Sequence, residues 1–140
     1  MRYAVLLILT LLAFNSQAQS IEVDDQGFET FDYVDGDTTW TMKKYFFCIL
    51  KQGENRDHTD QERQEIQAGH LANLKRLGEE KIICIAGPLG EHPEYRGIVI
   101  FSTPTIEDAR KHMETDPAVI AGRLDYEMIE WWAAKGTKLF

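Results

Sequence analysis

From residue 42 onward, short continuous apolar runs alternate with longer stretches whose apolar positions recur at helical spacing. Lys43 to Lys51 (Lys-Lys-Tyr-Phe-Phe-Cys-Ile-Leu-Lys) is apolar between charged ends and rich in aromatics. It is too short for a helix and reads as a strand covered on both faces. Lys81 to Gly87 and Ile98 to Phe101 repeat the pattern, joined through Pro88-Leu-Gly90 and a polar loop, and together they read as a long hairpin. Leu124 to Trp132 alternates well enough for a fourth strand.

The helical stretches lie between these runs. Thr59 and Glu62 form a capping box, Asp60 adds charge to the first turn, and Gly78 is the predicted stop. At about 100° per residue, Ile66, His70, Leu74 and Leu77 fall within roughly 80° of one another. An imidazole therefore sits in the middle of the packing face. A second helix is predicted from Ile106 to about Glu114, capped by Thr105 and Asp108. Asp116-Pro117 opens a short further turn that Gly122 ends.

The order β-α-β-β-α-β is the ferredoxin-like arrangement within the α+β class. It predicts one four-stranded antiparallel sheet, order 4-1-3-2, with both helices on one face. The strands carrying Cys48 and Cys84 are then not neighbours. Two strand spacings come to about 9–10 Å, beyond the roughly 7 Å between α-carbons that a disulfide tolerates, so two free thiols are expected. Two helices cover only one sheet face, yet Tyr45, Phe47 and Ile49 alternate with Phe46, Cys48 and Leu50. The face without helices needs a cover. A second copy packed sheet to sheet supplies one and makes a homodimer; the aromatic residues of the N-terminal segment are the other candidate.

That segment, residues 19–41, has seven acidic residues, no basic one and no sustained period, a composition that favours a loose acidic arm. Phe28, Phe31, Tyr33, Val34 and Trp40 are too apolar for a simple spacer, so it reads as an arm lying along the domain or a partner, with a turn at Asp35-Gly36. Before it, residues 1–18 have a basic start, an apolar run from Tyr3 to Phe14, and small residues at Ser16 and Ala18. They read as a secretory signal peptide, and the run is shorter than the ~20 residues of a membrane span. The expected organisation is 1–18 signal, 19–41 acidic arm and 42–140 folded domain. The mature protein is expected to be exported, periplasmic or secreted, and not held in a membrane after cleavage.

Composition removes several functions. The formal charge is −8, unsuited to phosphate backbones, so nucleic acid is excluded as a partner. There is no Gly-rich phosphate loop and no paired-histidine metal motif, and neither a metal nor a cofactor is expected. His58, His92 and His112 fall on predicted loops or exposed helix and read as solvated.

His70-Leu71 with Leu74 and Gly78, then Ala86-Gly87-Pro88, Arg96-Gly97, Asp116-Pro117 and Gly122 together resemble the YCII-related domain family over roughly residues 42–134. The resemblance implies a dimeric α+β barrel of ferredoxin-like subunits and an active site built on a histidine–aspartate pair, here His70 and Asp116. It also implies reactions on small molecules, among them hydroxylated rings. The signal and acidic arm depart from the compact form of the family.

The chemistry of the pair stands on its own terms. A buried imidazole needs partners for both ring nitrogens, at a cost of about 1–3 kcal/mol if one is missing. A carboxylate partner fixes its tautomer and raises the basicity of the other nitrogen, which suits it to general-base work. The plain alternatives are a satisfied core histidine and an aspartate that only caps a helix. Arg96 is a candidate for holding an anionic substrate by a bidentate contact, Tyr45 for presenting a hydroxyl to the pocket, and Gly87 for letting a ligand approach the backbone. The expected function is cofactor-free lyase, isomerase or hydrolase chemistry on a small, cyclic or phenolic molecule. A ligand-binding module without turnover and a purely structural dimer are the rival readings.

Overall fold

The computed structural model describes residues 20–139; the signal peptide read at 1–18 lies outside them. The elements are β1 (Glu22–Val23), β2 (Glu29–Asp35), β3 (Thr38–Gln52), α1 (Asp60–Glu79), β4 (Ile83–Pro88), β5 (Tyr95–Phe101), α2 (Ile106–Glu114), α3 (Pro117–Ile120) and β6 (Leu124–Ala134). All strand pairings are antiparallel. The four strands from β3 onward lie in the order β6-β3-β5-β4. Every residue of β3 from Met42 to Gln52 has a partner on β6, and Phe46 to Lys51 pair on the other side with β5.

The acidic segment is where sequence and structure part. It lies along the domain and turns at Asp35-Gly36 as read, but as strands of the sheet rather than as a loose arm or a cover over it. Residues 30–35 pair edge-on with residues 38–43, the front half of β3, through a turn in which Gly36 takes φ 59°. β3 therefore begins at Thr38, and the expected boundary at residue 42 falls inside a strand. The period was hard to read because most of the hairpin is exposed on both sides, so no buried face imposes alternation. Phe31 packs against Trp132 at 5.0 Å between ring centroids, and the Lys43 ammonium lies 3.7 Å from the Phe28 ring centroid. These contacts tie the hairpin to the domain.

The core lies between one sheet face and the helices. Phe46, Cys48 and Leu50 of β3, Val99 and Phe101 of β5, and Met128 of β6 meet Leu77, Ala109 and Met113 from α1 and α2. The opposite face carries Tyr45, Phe47, Ile49, Ile98 and Trp131, with Trp131 40% exposed and Ile129 49% exposed. Cys48 and Cys84 are free thiols, with β5 between their strands. Burial pushes the Cys48 thiol up to about 12, which leaves it unreactive as a nucleophile.

α1 starts as read, with Thr59 and Glu62 completing the capping box. Its end differs. Gly78 stays inside the helix, and Lys81 takes the left-handed conformation at φ 59°. The Lys81 N–H donates to Gly78 O and the Ile82 N–H to Leu77 O, a Schellman closure that glycine usually provides.

Candidate functional site

α1 buries a narrow stripe, His70, Asn73 and Leu77. Two of the three are polar, so this helix docks through hydrogen bonds as well as apolar contact. Their common partner is Asp116, which is fully buried at the cap of α3. His70 Nδ1 lies 3.0 and 2.9 Å from the two carboxylate oxygens of Asp116. The Asn73 side-chain amide donates to Oδ2 at 3.0 Å, and the Ala118 N–H donates to Oδ1 at 2.9 Å. Asp116 thus caps α3 and holds the imidazole at once. Burial pushes its carboxyl up, but the hydrogen bonds from His70 and Asn73, the His70 charge and the Ala118 amide outweigh this and leave it below the ordinary carboxylate range.

Since an ionised carboxylate only accepts, a proton is assigned to Nδ1; in the neutral ring Nε2 then carries the lone pair. Nε2 has no hydrogen-bond partner among the described residues. His70, 7% exposed, lines a cavity of about 550 Å³ between α1, the β4–β5 hairpin and the start of β6. That is within the range of small-molecule sites.

Two features missed in the sequence make this geometry. Asn73 stands one turn beyond His70, and Arg76 in turn donates to its side-chain oxygen at 2.8 Å. Its signal was the i, i+3 spacing, which puts both side chains on one stripe. Gly69 is the second. A Cβ there would come within 3.0 Å of the Pro117 ring, so its absence lets α1 and α3 approach closely enough for His70 to reach Asp116.

The other sequence candidates separate. Arg96 and Gly87 line the same cavity as His70, and a Cβ on Gly87 would meet nothing within 4 Å. Tyr45 does not. It sits on the opposite sheet face, paired with Trp131, because β3 alternates and its neighbour Phe46 points into the core. His92 is exposed and accepts from the Tyr95 N–H at 2.9 Å. His58 and His112 are half-buried rather than solvated, and the buried Nδ1 of His58 lacks a partner among the described residues. No group of three metal-ligating side chains occurs among the described residues.

The YCII-related domain matches residues 45–132. Among solved structures, muconolactone isomerase is 16% identical, with 62% of this chain and 86% of that one covered at a TM-score of 0.53. The complex of 5-chloro-2-hydroxyhydroquinone dehydrochlorinase from Burkholderia phenoliruptrix AC1100 with 2,5-dihydroxybenzoquinone is 24% identical, covering 61% and 92% at a TM-score of 0.46. No curated protein matches the chain. The likeness to muconolactone isomerase shows a shared α+β fold with an antiparallel sheet.

Proposed function

This chain belongs to the YCII-related domain family, and from that premise we propose that it is an enzyme in which His70 is the general base and Asp116 its positioning partner. The observation that carries this reading is the two-sided environment of one ring. Nδ1 faces a buried carboxylate at 2.9 Å, while His70 borders a cavity large enough for a small molecule. A histidine that only completed a core would have no need of the cavity.

The proposed substrate is small, cyclic or phenolic, and the chemistry uses no cofactor. Nε2 takes a proton from an acidic C–H or O–H, and the electron pair stays on the substrate as an enolate or phenolate. Asp116 stabilises the imidazolium that results. Return of the proton to a different carbon gives isomerisation. Expulsion of a neighbouring leaving group by the electron pair gives elimination. Abstraction from a water instead gives hydrolysis. Arg96 and Gly87 border the space where the substrate would lie.

Screening small carbon acids and hydroxylated rings for deuterium incorporation or conversion tests this. His70→Ala and Asp116→Asn are expected to lower the rate by about 10²–10⁴-fold. Full activity in either variant sinks the dyad.

The proposed assembly is a homodimer through the helix-free sheet face, whose support is the apolar surface around Ile129 and Trp131. The proposed location is outside the cytoplasm, after removal of residues 1–18; the N-terminal mass of the mature protein tests it.

A further inference from the structure

The cavity beside His70 holds more positive charge than the dyad requires. Arg56, Lys75, Arg96 and Arg123 line it, and no acidic side chain does, in a chain with 23 acidic residues and 15 Lys and Arg. Lys75 reaches Glu79 at 3.8 Å. The three arginines have no carboxylate in ion-pair reach among the described residues. Their bonds go to neutral acceptors. Arg56 donates to the Arg123 carbonyl at 3.1 Å. Arg96 donates to the His92 carbonyl at 2.7 Å and to the Gln52 side chain.

Arg56 and Arg123 are also held together by rigid backbone. The Gly53 N–H donates to Arg123 O at 2.9 Å and the Asn55 N–H to Gly122 O at 3.0 Å. The Asn55 side chain donates to Ala121 O at 3.1 Å. A Cβ on Gly53 would strike the Gly122 carbonyl, so this approach of two chain segments depends on glycine. Arg123 is depressed by burial and by the charges of Arg56 and Arg63. Like charges brought near one another without an internal counter-charge are a cost that a bound anion offsets.

We propose that the cavity binds a small organic oxyanion, its charged group held by the guanidinium groups of Arg56 and Arg123 with Arg96 nearby, and its body against Leu50, Leu74 and Leu124. This names the substrate class of the His70 site and rests on that reading only for which end of the molecule reacts. The cavity volume of about 550 Å³ fits one ring with its substituents and excludes a polymer. A carboxylate and a phosphate ester share the chemistry, since both accept two parallel N–H bonds from a guanidinium.

Calorimetric titration of the whole protein with benzoate, phenyl phosphate and benzyl alcohol tests the proposal. Benzoate or phenyl phosphate is expected to bind about tenfold or more tightly than the neutral alcohol, and the better of the two identifies the source. Added salt is expected to weaken the anion alone. Arg56→Gln and Arg123→Gln are each expected to lose about tenfold for the anion and little for the alcohol. Arg56 is exposed, so its variant remains folded if the other does not. His70→Asn is expected to keep the anion preference, which separates the clamp from the dyad. Equal binding of anion and alcohol by the wild type, no anion binding, or an unchanged anion affinity in Arg56→Gln overturns the proposal.

Discussion

Asp116 concentrates more of the site than any other residue. Its two oxygens serve an imidazole, an amide side chain and a backbone N–H. Replacement by asparagine keeps the shape but brings an N–H where Asn73 and His70 both donate. We expect Asp116→Asn to lose about 2–3 kcal/mol of stability near neutral pH. The pH dependence follows from the sign of the shift. The folded carboxyl titrates below its unfolded value of about 3.9, so its contribution is fully present above about pH 4 and is lost as the pH falls through the folded value. Urea unfolding of wild type and variant is expected to show a gap that narrows below about pH 4. A gap that widens there contradicts the assignment of an ionised Asp116. Of this site, His70 was legible as a polar residue on an apolar helical face, and Asp116 as a cap before Pro117. The bond between them was not, because it depends on the packing of α1 against α3 rather than on either local pattern.

At the scale of elements, close backbone approaches position the chemistry. The amphipathic spacing located α1, and the capping box located its start. The stop lies beyond Gly78 because Lys81, with no glycine signal, adopts the left-handed turn. Gly53 was equally silent in the sequence, since its need for a bare Cα comes from Gly122 across the fold. Gly53→Ala is expected to cost about 1–3 kcal/mol through forced backbone movement, measured as a lowered urea midpoint. Gly90→Ala, where a Cβ would meet nothing within 4 Å, is the control and is expected to be near neutral. Equal effects at the two positions would remove Gly53 from the account of how Arg56 and Arg123 are held. The front hairpin teaches the converse. Its strands exist without an apolar period because β3 continues outward from the core and β2 pairs with it in solvent.

For the molecule as a whole, one sheet face is buried under helices and the other is apolar and partly bare. The apolar runs made that imbalance legible from composition alone, although they did not reveal that the acidic segment would lengthen the sheet instead of covering it. A homodimer is expected by light scattering, and Trp131→Glu is expected to give monomers by placing a charge in the apolar contact. A monomeric wild type would remove the sheet-to-sheet assembly. The proposed chemistry rests most heavily on the state of one ring nitrogen. Long-range ¹⁵N–¹H correlation spectra of the neutral His70 imidazole read it directly. The expected result is a proton on Nδ1 and a bare Nε2, with Asp116→Asn moving the proton to Nε2. A proton on Nε2 in the wild type, or a tautomer indifferent to Asp116→Asn, would contradict it.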